Sequence, residues 1–435
     1  MVEHPILWLA GAFLAMLALI FVRIPIGIAM AIVGVAGTAM IIGFGPALSL
    51  LAVEPANAVN SADLATIPLF LLMGNLATAA GISGDIFKVA QNYMGHFRGG
   101  MAMATIAGSA GYGAICGSSS ATTAAMARIA LPEMEKRGYA GGLAAATIAT
   151  GGGLGILIPP SIIMVLYAVL TEQFVLELFA AGIVPGILAV ILYQATVWLV
   201  VSRNPALGPA TDRVGWAGRL RSTLRAWRAV LTILLVIVGI YSGAFTVLEA
   251  AAVGVAITGG FWVFSPARGW ASLRAVFADT AALTGMMIVM VIGASAMGYL
   301  LTLTNAPLEI VDAVAALGVP APVVMVILLV MYIFLGMVFD SISAMVLTIP
   351  FVFPLVVSLG YDPVWWGIIN VMIVEIALIT PPVGMNVFIM HAVAPHIRIG
   401  AIFRAVMPFV LADVVWLGLM LAFPVIALWL PHALR

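Results

Sequence analysis

The chain has 435 residues, of which 64% are hydrophobic and 8% are charged, and its formal net charge is zero. Soluble domains carry about 25% charged residues, so a chain this apolar belongs in lipid. Its neutral charge balance argues against nucleic acid as a partner and against a polybasic membrane-surface role. The single cysteine, Cys116, excludes an internal disulfide and a multi-thiolate metal site. Long apolar runs without strand-like alternation indicate an all-α polytopic membrane protein and not a β-barrel.

Apolar runs bounded by charges and turn residues predict the elements of a first repeat, 1–202. In chain order they are spans at about 6–22 and 24–43, a surface segment at 47–64, a span at 66–82, an amphipathic arm at 84–98, a polar-interrupted segment at 100–133, a broken helix at 142–171 and a span at 176–201. The segment 100–133 holds too many polar residues to cross lipid directly. It is predicted to form a re-entrant hairpin, because backbone breaks at membrane depth are tolerated where protein surrounds them.

A linker, 203–228, precedes a second repeat, 229–435, with the same order of elements. Its predicted elements are spans near 229–241, 247–264 and 277–303, an arm at 307–318, a hairpin at 320–357, a broken helix at 363–392 and a last span at about 407–430. No basic signal-peptide segment precedes the first apolar run, so that run is expected to be retained as a span.

Arginine and lysine predict the orientation. The linker holds six arginines, which places it in the cytoplasm by the positive-inside rule. Counting spans back from it puts Lys136-Arg137 in the cytoplasm too, whereas the equivalent Ser358-Leu359 of the second repeat falls outside and has lost the basic pair. The two repeats are therefore predicted to be inverted relative to each other. About ten full spans and two opposed hairpins are expected, with both chain ends outside.

The strongest functional signal is a pattern that recurs after 222 residues (354 − 132 = 222). The matching pairs are Pro132 with Pro354, Gly138-Tyr139 with Gly360-Tyr361, Pro159-Pro160 with Pro381-Pro382, and Ser118-Ser119 with Asp340-Ser341. Each copy thus combines a polar hairpin tip with a helix broken by a double proline. A duplicated pair of broken helices in an apolar chain indicates the binding site of a secondary transporter.

The first tip is rich in hydroxyls between Gly117 and Thr123. Hydroxyl oxygens and the unpaired backbone groups of two helix ends suit a hard cation such as Na⁺ without burying a fixed charge. At the facing break, Pro159 and Pro160 have no N–H, so the carbonyls of Gly155 and Ile156 are predicted to be free to complete such a site. The alternatives are close helix packing through small residues at the tip and a simple proline kink at the break.

The second tip differs by carrying an acid. Asp340 lies between long apolar runs, where an ionisable residue is a functional candidate by default. It could balance a bound cation, take up a proton or orient substrate; the alternative is a buried acid satisfied by hairpin amides.

Other charged residues are weaker candidates. Glu375, inside the second broken helix, is either an ion or proton ligand or an acid paired at a helix interface. Glu249 and Asp413 are predicted near span ends and are expected to be interfacial. Arg128 follows the first tip by about two helical turns and could meet an anionic substrate, although pairing with Glu133 or Glu135 is the stronger expectation.

Three motif groups in each half resemble one transporter family. In the first half they are Gly117-Ser-Ser-Ser-Ala-Thr, Pro132-Glu-Met with Lys136-Arg-Gly-Tyr139, and Gly155-Ile-Leu-Ile-Pro-Pro-Ser161. In the second half they are Asp340-Ser341, Leu359-Gly-Tyr-Asp-Pro363 and Leu378-Ile-Thr-Pro-Pro-Val-Gly-Met-Asn386. With these motifs, essentially the whole chain resembles the large, DctM-like membrane (M) subunit of tripartite ATP-independent periplasmic (TRAP) transporters.

The resemblance implies a multi-pass importer of the ion-transporter superfamily in the bacterial inner membrane, working by an elevator mechanism. It implies Na⁺ as the coupling ion, no cofactor, and an organic acid, C4-dicarboxylate-like, as substrate. Expected partners are a periplasmic substrate-binding protein and a small four-helix membrane subunit on a separate chain. The arms at 84–98 and 307–318 would support a moving unit of both hairpins and both broken helices.

The resemblance also implies two Na⁺ sites with substrate between the tips. The implied Na⁺ residues are Ser118, Ser119, Ser120, Thr122, Gly152, Gly155 and Pro159 in the first repeat, and Asp340, Ser341, Ser343, Thr380, Pro381 and Gly384 in the second. The predicted substrate residues are Ser119, Ser120, Asp340, Asn386 and Arg128. Ile342 departs from the pattern because a small or hydroxyl residue is common there, which leaves the choice between Ser341 and Ser343 open.

Two alternatives are weaker. One is a stand-alone Na⁺- or H⁺-coupled organic-anion symporter or antiporter of the same fold. The other is an intramembrane serine protease, which would need a histidine base beside Ser118 or a neighbour, whereas His96 and His391 lie at predicted span ends. No nucleotide-binding loop of the Gly-rich Lys-Ser/Thr kind is present, which disfavours ATP-driven transport. The protein is therefore expected not to be an enzyme.

Overall fold

The computed structural model describes residues 5–434, so the ends of the two predicted repeats, 1–4 and 435, lie outside the described residues. The described chain is built from α-helices, as predicted. The first ten are α1 Pro5–Phe21, α2 Ile26–Ile42, α3 Phe44–Asn60, α4 Ala62–Ala79, α5 Ile82–Met94, α6 Gly100–Cys116, α7 Ser119–Lys136, α8 Gly141–Leu157, α9 Ile162–Thr171 and α10 Val175–Arg203.

A short 3₁₀ turn, Pro205–Leu207, leads into the second half. The remaining helices are α11 Trp216–Arg225, α12 Trp227–Tyr241, α13 Val247–Val263, α14 Trp270–Thr304, α15 Ala306–Ala316, α16 Ala321–Val338, α17 Ser341–Ser358, α18 Pro363–Ala377, α19 Met385–Val393, α20 Ile399–Ala422 and α21 Val425–Leu434. The order arm, two-helix hairpin and broken helix occurs in both halves: α5 to α9 in the first and α15 to α19 in the second. The inversion of the halves across a membrane stays a prediction.

The helices differ from the predicted elements in three places. The surface segment at 47–64 is mostly helix α3, and α11 occupies the second half of the linker. The predicted last span at 407–430 is two helices, α20 and α21, separated at Phe423-Pro424, because a proline cannot donate the hydrogen bond that would continue the first helix. By length and hydropathy, six of the described helices can cross a membrane, or eight when each sharply bent pair counts as one span.

The first broken helix lies at the centre of the molecule. Every residue from Leu143 to Leu157 of α8 is buried, and this helix packs against α6 and α7 of the hairpin, α18, α19 and α20. Glycine permits a close approach of the backbones: a Cβ added to Gly113 of α6 would lie 2.7 Å from the Cα of Gly155. The small side chains of α8 therefore let the hairpin backbone lie directly on the broken helix.

The two broken helices meet at equivalent positions. Glu375 of α18 corresponds to Gly153 of α8 (375 − 153 = 222). A Cβ at Gly153 would lie 2.5 Å from the Glu375 Cγ, so the two residues are in direct contact. Contact between equivalent residues is what an axis relating two repeats produces. The sequence repeat thus has a counterpart in the packing.

Candidate ion and substrate site

The two hairpin tips are built in the same way. Helix α6 ends at Gly117, which has a φ of +64°, and Ser118 then caps α7 by accepting a hydrogen bond from the Ala121 amide at 3.5 Å. In the second hairpin Asp340 caps α17, and its Oδ1 accepts from the Ser343 amide at 3.1 Å. Serine and aspartate are both strong N-cap residues. Both repeats therefore keep a capping side chain at the tip, which is neutral in the first and acidic in the second, whereas the residue before the cap changes from left-handed Gly117 to extended Phe339.

The breaks are closed by nearby side chains. The first lies between α8 and α9, which are inclined by 42°, and contains the cis peptide bond Pro159-Pro160. The Ser161 hydroxyl donates to the Ile156 carbonyl. The prediction that this carbonyl is free is therefore wrong, because the serine replaces the amide that the prolines lack. In the second break, which contains the cis bond Pro381-Pro382, the Thr380 hydroxyl donates to the Ile376 carbonyl at 2.6 Å.

A cavity of about 90 Å³ separates the two tips. Its lining includes six of the predicted site residues: Ser118, Ser119, Ser120, Asp340, Ser341 and Asn386. Apolar side chains from α4, α14, α17 and both broken helices complete the wall: Leu71, Ile156, Ile162, Ile163, Leu283, Met286, Met287, Ile342, Leu378 and Met385. A volume of this size accommodates a few water molecules or one small charged group.

Asn386 joins the two halves of the molecule at this cavity. It follows the second break, is buried, and its Nδ2 donates to Ser119 Oγ at 2.8 Å and to the Ala149 carbonyl at 3.1 Å. Its Oδ1 is buried without a hydrogen-bond partner among the described residues. The amide therefore fixes the second broken helix to the first tip and leaves one acceptor unused.

Behind the first tip, α7 and α8 are in close contact through threonines and glycines. A Cβ at Gly155 would lie 2.6 Å from Thr122 Oγ1 and 2.8 Å from the Ser118 carbonyl oxygen. Thr122 and Thr123 are buried, and neither hydroxyl oxygen has a hydrogen-bond partner among the described residues. Buried polar atoms are normally paired. Unpaired hydroxyl oxygens beside a helix break are the kind of ligand that the sequence predicts for Na⁺.

Comparison with known proteins identifies the family. The sequence profile described as "Tripartite ATP-independent periplasmic transporter, DctM component" matches residues 13–426. The chain belongs to this family. It is 34% identical over 402 residues to the C4-dicarboxylate TRAP transporter large permease protein DctM of Pseudomonas aeruginosa, covering 92% of this chain and 93% of that protein. This identification confirms the resemblance drawn from the paired motifs.

One further relative supports the DctM family assignment, and one solved structure shows the fold. The ectoine/5-hydroxyectoine TRAP transporter large permease protein UehC of Ruegeria pomeroyi is 32% identical over 431 residues, covering 97% of this chain and 98% of that one. The crystal structure of the Alcanivorax borkumensis YdaH transporter superposes with a TM-score of 0.63 at 16% identity, covering 87% and 89% of the two chains. The predicted class of all-α transporter fold is thereby confirmed. The named relatives are transporter permeases, consistent with a protein that is not an enzyme.

Several predicted residues of this DctM-family chain do not line the cavity. Thr122 and Gly155 lie behind the first tip as described, and a Cβ at Gly152 would contact Thr123. The others are at or near the breaks and the second tip: Pro159, Ser343, Thr380, Pro381 and Gly384. Their roles as Na⁺ ligands stay predictions. The lining contains no histidine among the described residues, so it offers no base to a serine nucleophile.

Arg128 does not make its predicted ion pairs. Glu133 is bound by Lys136 at 3.3 Å and by Arg137 at 2.5 Å, and the hydrogen bond from Arg137 holds the pKa of Glu133 below its ordinary value. Glu135 pairs with His396 at 2.7 Å. Among the described residues Arg128 pairs with neither glutamate, and it is exposed outside the cavity lining. The pairing prediction is wrong, and a substrate role for Arg128 stays a prediction.

A buried acid pair is the feature that sequence reasoning missed. The Tyr193 hydroxyl lies 3.2 Å from Glu375 Oε1 and 2.6 Å from Asp413 Oδ1, and all three residues are buried. The prediction that Asp413 is interfacial is wrong, because it lies in the middle of α20 and faces α10 and α18. The signal was available: Asp413 lies nine residues after Arg404, the preceding charged residue, inside a long apolar run. Glu249, in contrast, caps the start of α13 through a capping box with Thr246, as expected of an interfacial acid.

We expect Glu375→Gln to change thermal stability little and Glu375→Ala to destabilise the protein by about 1–3 kcal/mol. Glutamine keeps the side-chain volume and a hydrogen-bonding group beside Tyr193, whereas alanine leaves both Tyr193 and Asp413 buried without this neighbour. Thermal unfolding of the purified variants in one detergent measures the difference. Equal losses in both variants would show that the hydrogen bond to Tyr193 contributes nothing specific to stability.

Proposed function

We propose that this protein imports an organic acid across the bacterial inner membrane, driven by Na⁺ entry, as the large permease subunit of a TRAP transporter. The observation that carries the proposal is the cavity between two capped hairpin tips, fixed across the halves by Asn386. Secondary transporters place substrate and coupling ions at such repeat interfaces, where discontinuous helices expose backbone groups. Family membership supports the transport role, and the tip chemistry supports the choice of ion.

One Na⁺ site is proposed where the first tip meets the first break. The Thr122 hydroxyl and the Ser118 carbonyl both lie close to Gly155 of α8. These oxygens are neutral, so they replace the hydration shell of a monovalent cation without the cost of burying an anion alone. The second site is proposed around Asp340, whose carboxylate supplies the negative charge that the first tip lacks.

The proposed substrate group is a carboxylate held between the tips. Helices α7 and α17 both begin at the cavity, and the positive ends of their dipoles favour an anion there. Ser119, Ser120 and Asn386 add neutral polar atoms. The relatives' names include C4-dicarboxylate in Pseudomonas aeruginosa and sialic acid in Vibrio cholerae, both carboxylic acids. A carboxylate-bearing substrate is the class that these names and this site share.

The proposed mechanism is an elevator in which the hairpins and broken helices move as one unit. Helices α5 and α15 are the arms that connect this unit to the remaining spans. The membrane potential contributes about 2.3 kcal/mol per 100 mV for each charge that moves inward. Two or more Na⁺ ions per substrate therefore supply enough energy to concentrate an anion.

The proposed partners are a periplasmic binding protein and a small four-helix membrane subunit on a separate chain. An isethionate TRAP transporter permease protein named DctMQ, from Oleidesulfovibrio alaskensis, is 31% identical to this chain, which covers 63% of its length. The additional length of that relative leaves room for a second component on one chain. Here the small subunit is proposed as a separate protein, and co-purification from the native membrane tests it.

Uptake into vesicles tests the function as a whole. The chain with its small subunit is reconstituted, and organic acids are offered with and without the binding protein, in Na⁺ or in a Na⁺-free buffer. Uptake that requires both Na⁺ and the binding protein supports the proposal. Uptake without the binding protein would favour the stand-alone symporter. Uptake driven by a proton gradient alone would show that H⁺, and not Na⁺, is the coupling ion.

Ser119→Ala and Thr380→Ala are each expected to raise the Na⁺ concentration for half-maximal uptake. Each change removes one hydroxyl oxygen from a tip or break that is proposed to bind Na⁺. Thr147→Ala is the matched control, because Thr147 also donates to a carbonyl of its own helix but lies in α8 away from the break. A change confined to the maximal rate would contradict ion binding by these hydroxyls.

A further inference from the structure

Helix α11 and the helix that follows it share one exposed apolar stripe. The exposed residues recur every three or four positions: Trp216, Leu220, Leu224 and Trp227, then Leu231, Leu234 and Val238 of α12. The first four are between 54% and 73% exposed. The stripe continues through a bend of 54° between α11 and α12. Spacing of this kind places all seven side chains on one face.

Basic side chains border this stripe on α11. Arg221 and Arg225 each follow a stripe leucine by one residue and are exposed, as is Arg213 just before the helix. Among the described residues of 211–230, Asp212 is the single acid. An apolar face beside a basic edge is the composition of a helix that lies in the membrane interface, with its arginines at the depth of the lipid phosphates.

The continuity of the stripe identifies lipid as its occupant. After Arg228, α12 is apolar except for Thr232 and Tyr241, so the α12 part of the stripe faces acyl chains. Tryptophans favour the boundary between acyl chains and head groups, and Trp216 and Trp227 lie at the first residues of α11 and α12. We propose that α11 is a surface helix that binds anionic phospholipid head groups through Arg221 and Arg225, with Arg213 beside them.

The side of α11 that lies away from Arg221 and Arg225, where Arg219 also stacks on Trp216, is attached to the arm α5. Arg219 is buried, stacks over the Tyr93 ring at 5.6 Å and lies 3.5 Å from His96 Nδ1. The Tyr93 hydroxyl also lies 3.1 Å from Thr223 Oγ1. Arg221 and Arg225 thus bind lipid on one side of α11, and Arg219 contacts the arm on the other. A head group bound at α11 therefore stabilises the position of the arm relative to the bilayer surface.

A second contact fixes the start of α12 to the same arm. Arg228 pairs with Asp85 and donates to the Ala80 carbonyl at 3.2 Å, just before α5. The Thr211 amide donates to the Gly95 carbonyl at 3.0 Å, just after α5. Both ends of the arm are thus held by the segment that carries the lipid-binding face.

Hydrogen exchange in vesicles tests this proposal. The full chain is reconstituted in phosphatidylcholine, with or without about one third phosphatidylglycerol, and exchange is followed in peptides covering α11 and α5. Arginines near an anionic surface are attracted to it electrostatically, so we expect exchange in α11 to slow about tenfold or more with phosphatidylglycerol. Arg221→Gln combined with Arg225→Gln should abolish the slowing, and raised salt should weaken it.

Two control variants make the result specific. Arg221→Lys with Arg225→Lys keeps both charges and should keep most of the slowing. Arg268→Gln with Arg274→Gln removes two charges from the turn before α14 and from the first turns of α14, and should leave the slowing in α11 unchanged. The proposal is overturned if phosphatidylglycerol leaves α11 exchange unchanged, if the glutamine variant behaves as the wild type, or if the 268/274 control loses the effect equally. Protection that requires the small subunit in place of anionic lipid would also overturn it.

Discussion

Replacing Asp340 by asparagine is expected to lower Na⁺-driven uptake about tenfold or more. Asparagine caps helices as well as aspartate does, so the hydrogen bond to the Ser343 amide and the start of α17 should remain. What the variant loses is the fixed negative charge at the cavity. If that charge balances a bound cation, the remaining uptake should require a higher Na⁺ concentration. Initial uptake rates in vesicles, measured across a Na⁺ series, test this.

Asp362 provides a matched control for Asp340. It also caps a helix, with its Oδ1 accepting from the Val364 and Trp365 amides at 2.8 and 3.0 Å, but it lies in the turn before α18 and does not line the cavity. Asp362→Asn therefore removes the same charge from the same kind of cap elsewhere. Its uptake should stay close to that of the wild type. Wild-type uptake by Asp340→Asn at low Na⁺ would exclude a charge-dependent role for this tip.

Gly155→Ala is expected to abolish uptake and to destabilise the protein. The new methyl group would meet a backbone carbonyl, that of Ser118, at 2.8 Å and the Thr122 hydroxyl at 2.6 Å. A backbone atom cannot rotate away, so the hairpin tip must separate from α8, and overpacking of this kind costs about 1–3 kcal/mol. The separation also removes the proposed Na⁺ site. Thermal unfolding with and without Na⁺, together with uptake, measures both effects.

Gly418 supplies the comparison for Gly155. It is exposed in α20, and a Cβ there meets nothing within 4 Å. Because alanine favours a helix over glycine by up to about 1 kcal/mol, Gly418→Ala should be neutral or slightly stabilising, with normal uptake. A Gly155→Ala protein that unfolds at the wild-type temperature and is still stabilised by Na⁺ would show that the tip and break are not coupled as proposed.

The hairpin tips and breaks could be predicted because their determinants are local in sequence. Caps, prolines and glycines specify where a helix starts or stops within a few residues. The positions of Ser118 and Asp340 between two helices follow from this, and the constant offset of 222 residues supports both together. The hydrogen bond from the Ser161 hydroxyl to the Ile156 carbonyl could not be predicted. Ser161 is close in sequence, but the sequence does not specify the direction in which its hydroxyl points.

Contacts between residues that are far apart in the sequence could not be predicted. Asn386 is placed against Ser119, 267 residues away, by the packing of α19 on α7 and α8. The meeting of Tyr193 with Glu375 and Asp413 depends in the same way on the arrangement of three helices. Hydrophobic periodicity identifies helices but does not state which faces meet. The sequence therefore could not show that Glu375 and Asp413, in separate apolar runs, meet at Tyr193.

The amide of Asn386 also bears on how the polypeptide matures. The ribosome delivers Ser119 and Ala149 to the membrane long before it reaches codon 386, so the first tip must wait for its last partner. During that interval the half-made protein holds an incomplete polar centre in lipid. Because Asn386 supplies these hydrogen bonds, the first half of the protein cannot complete its polar contacts until the second half has been synthesised.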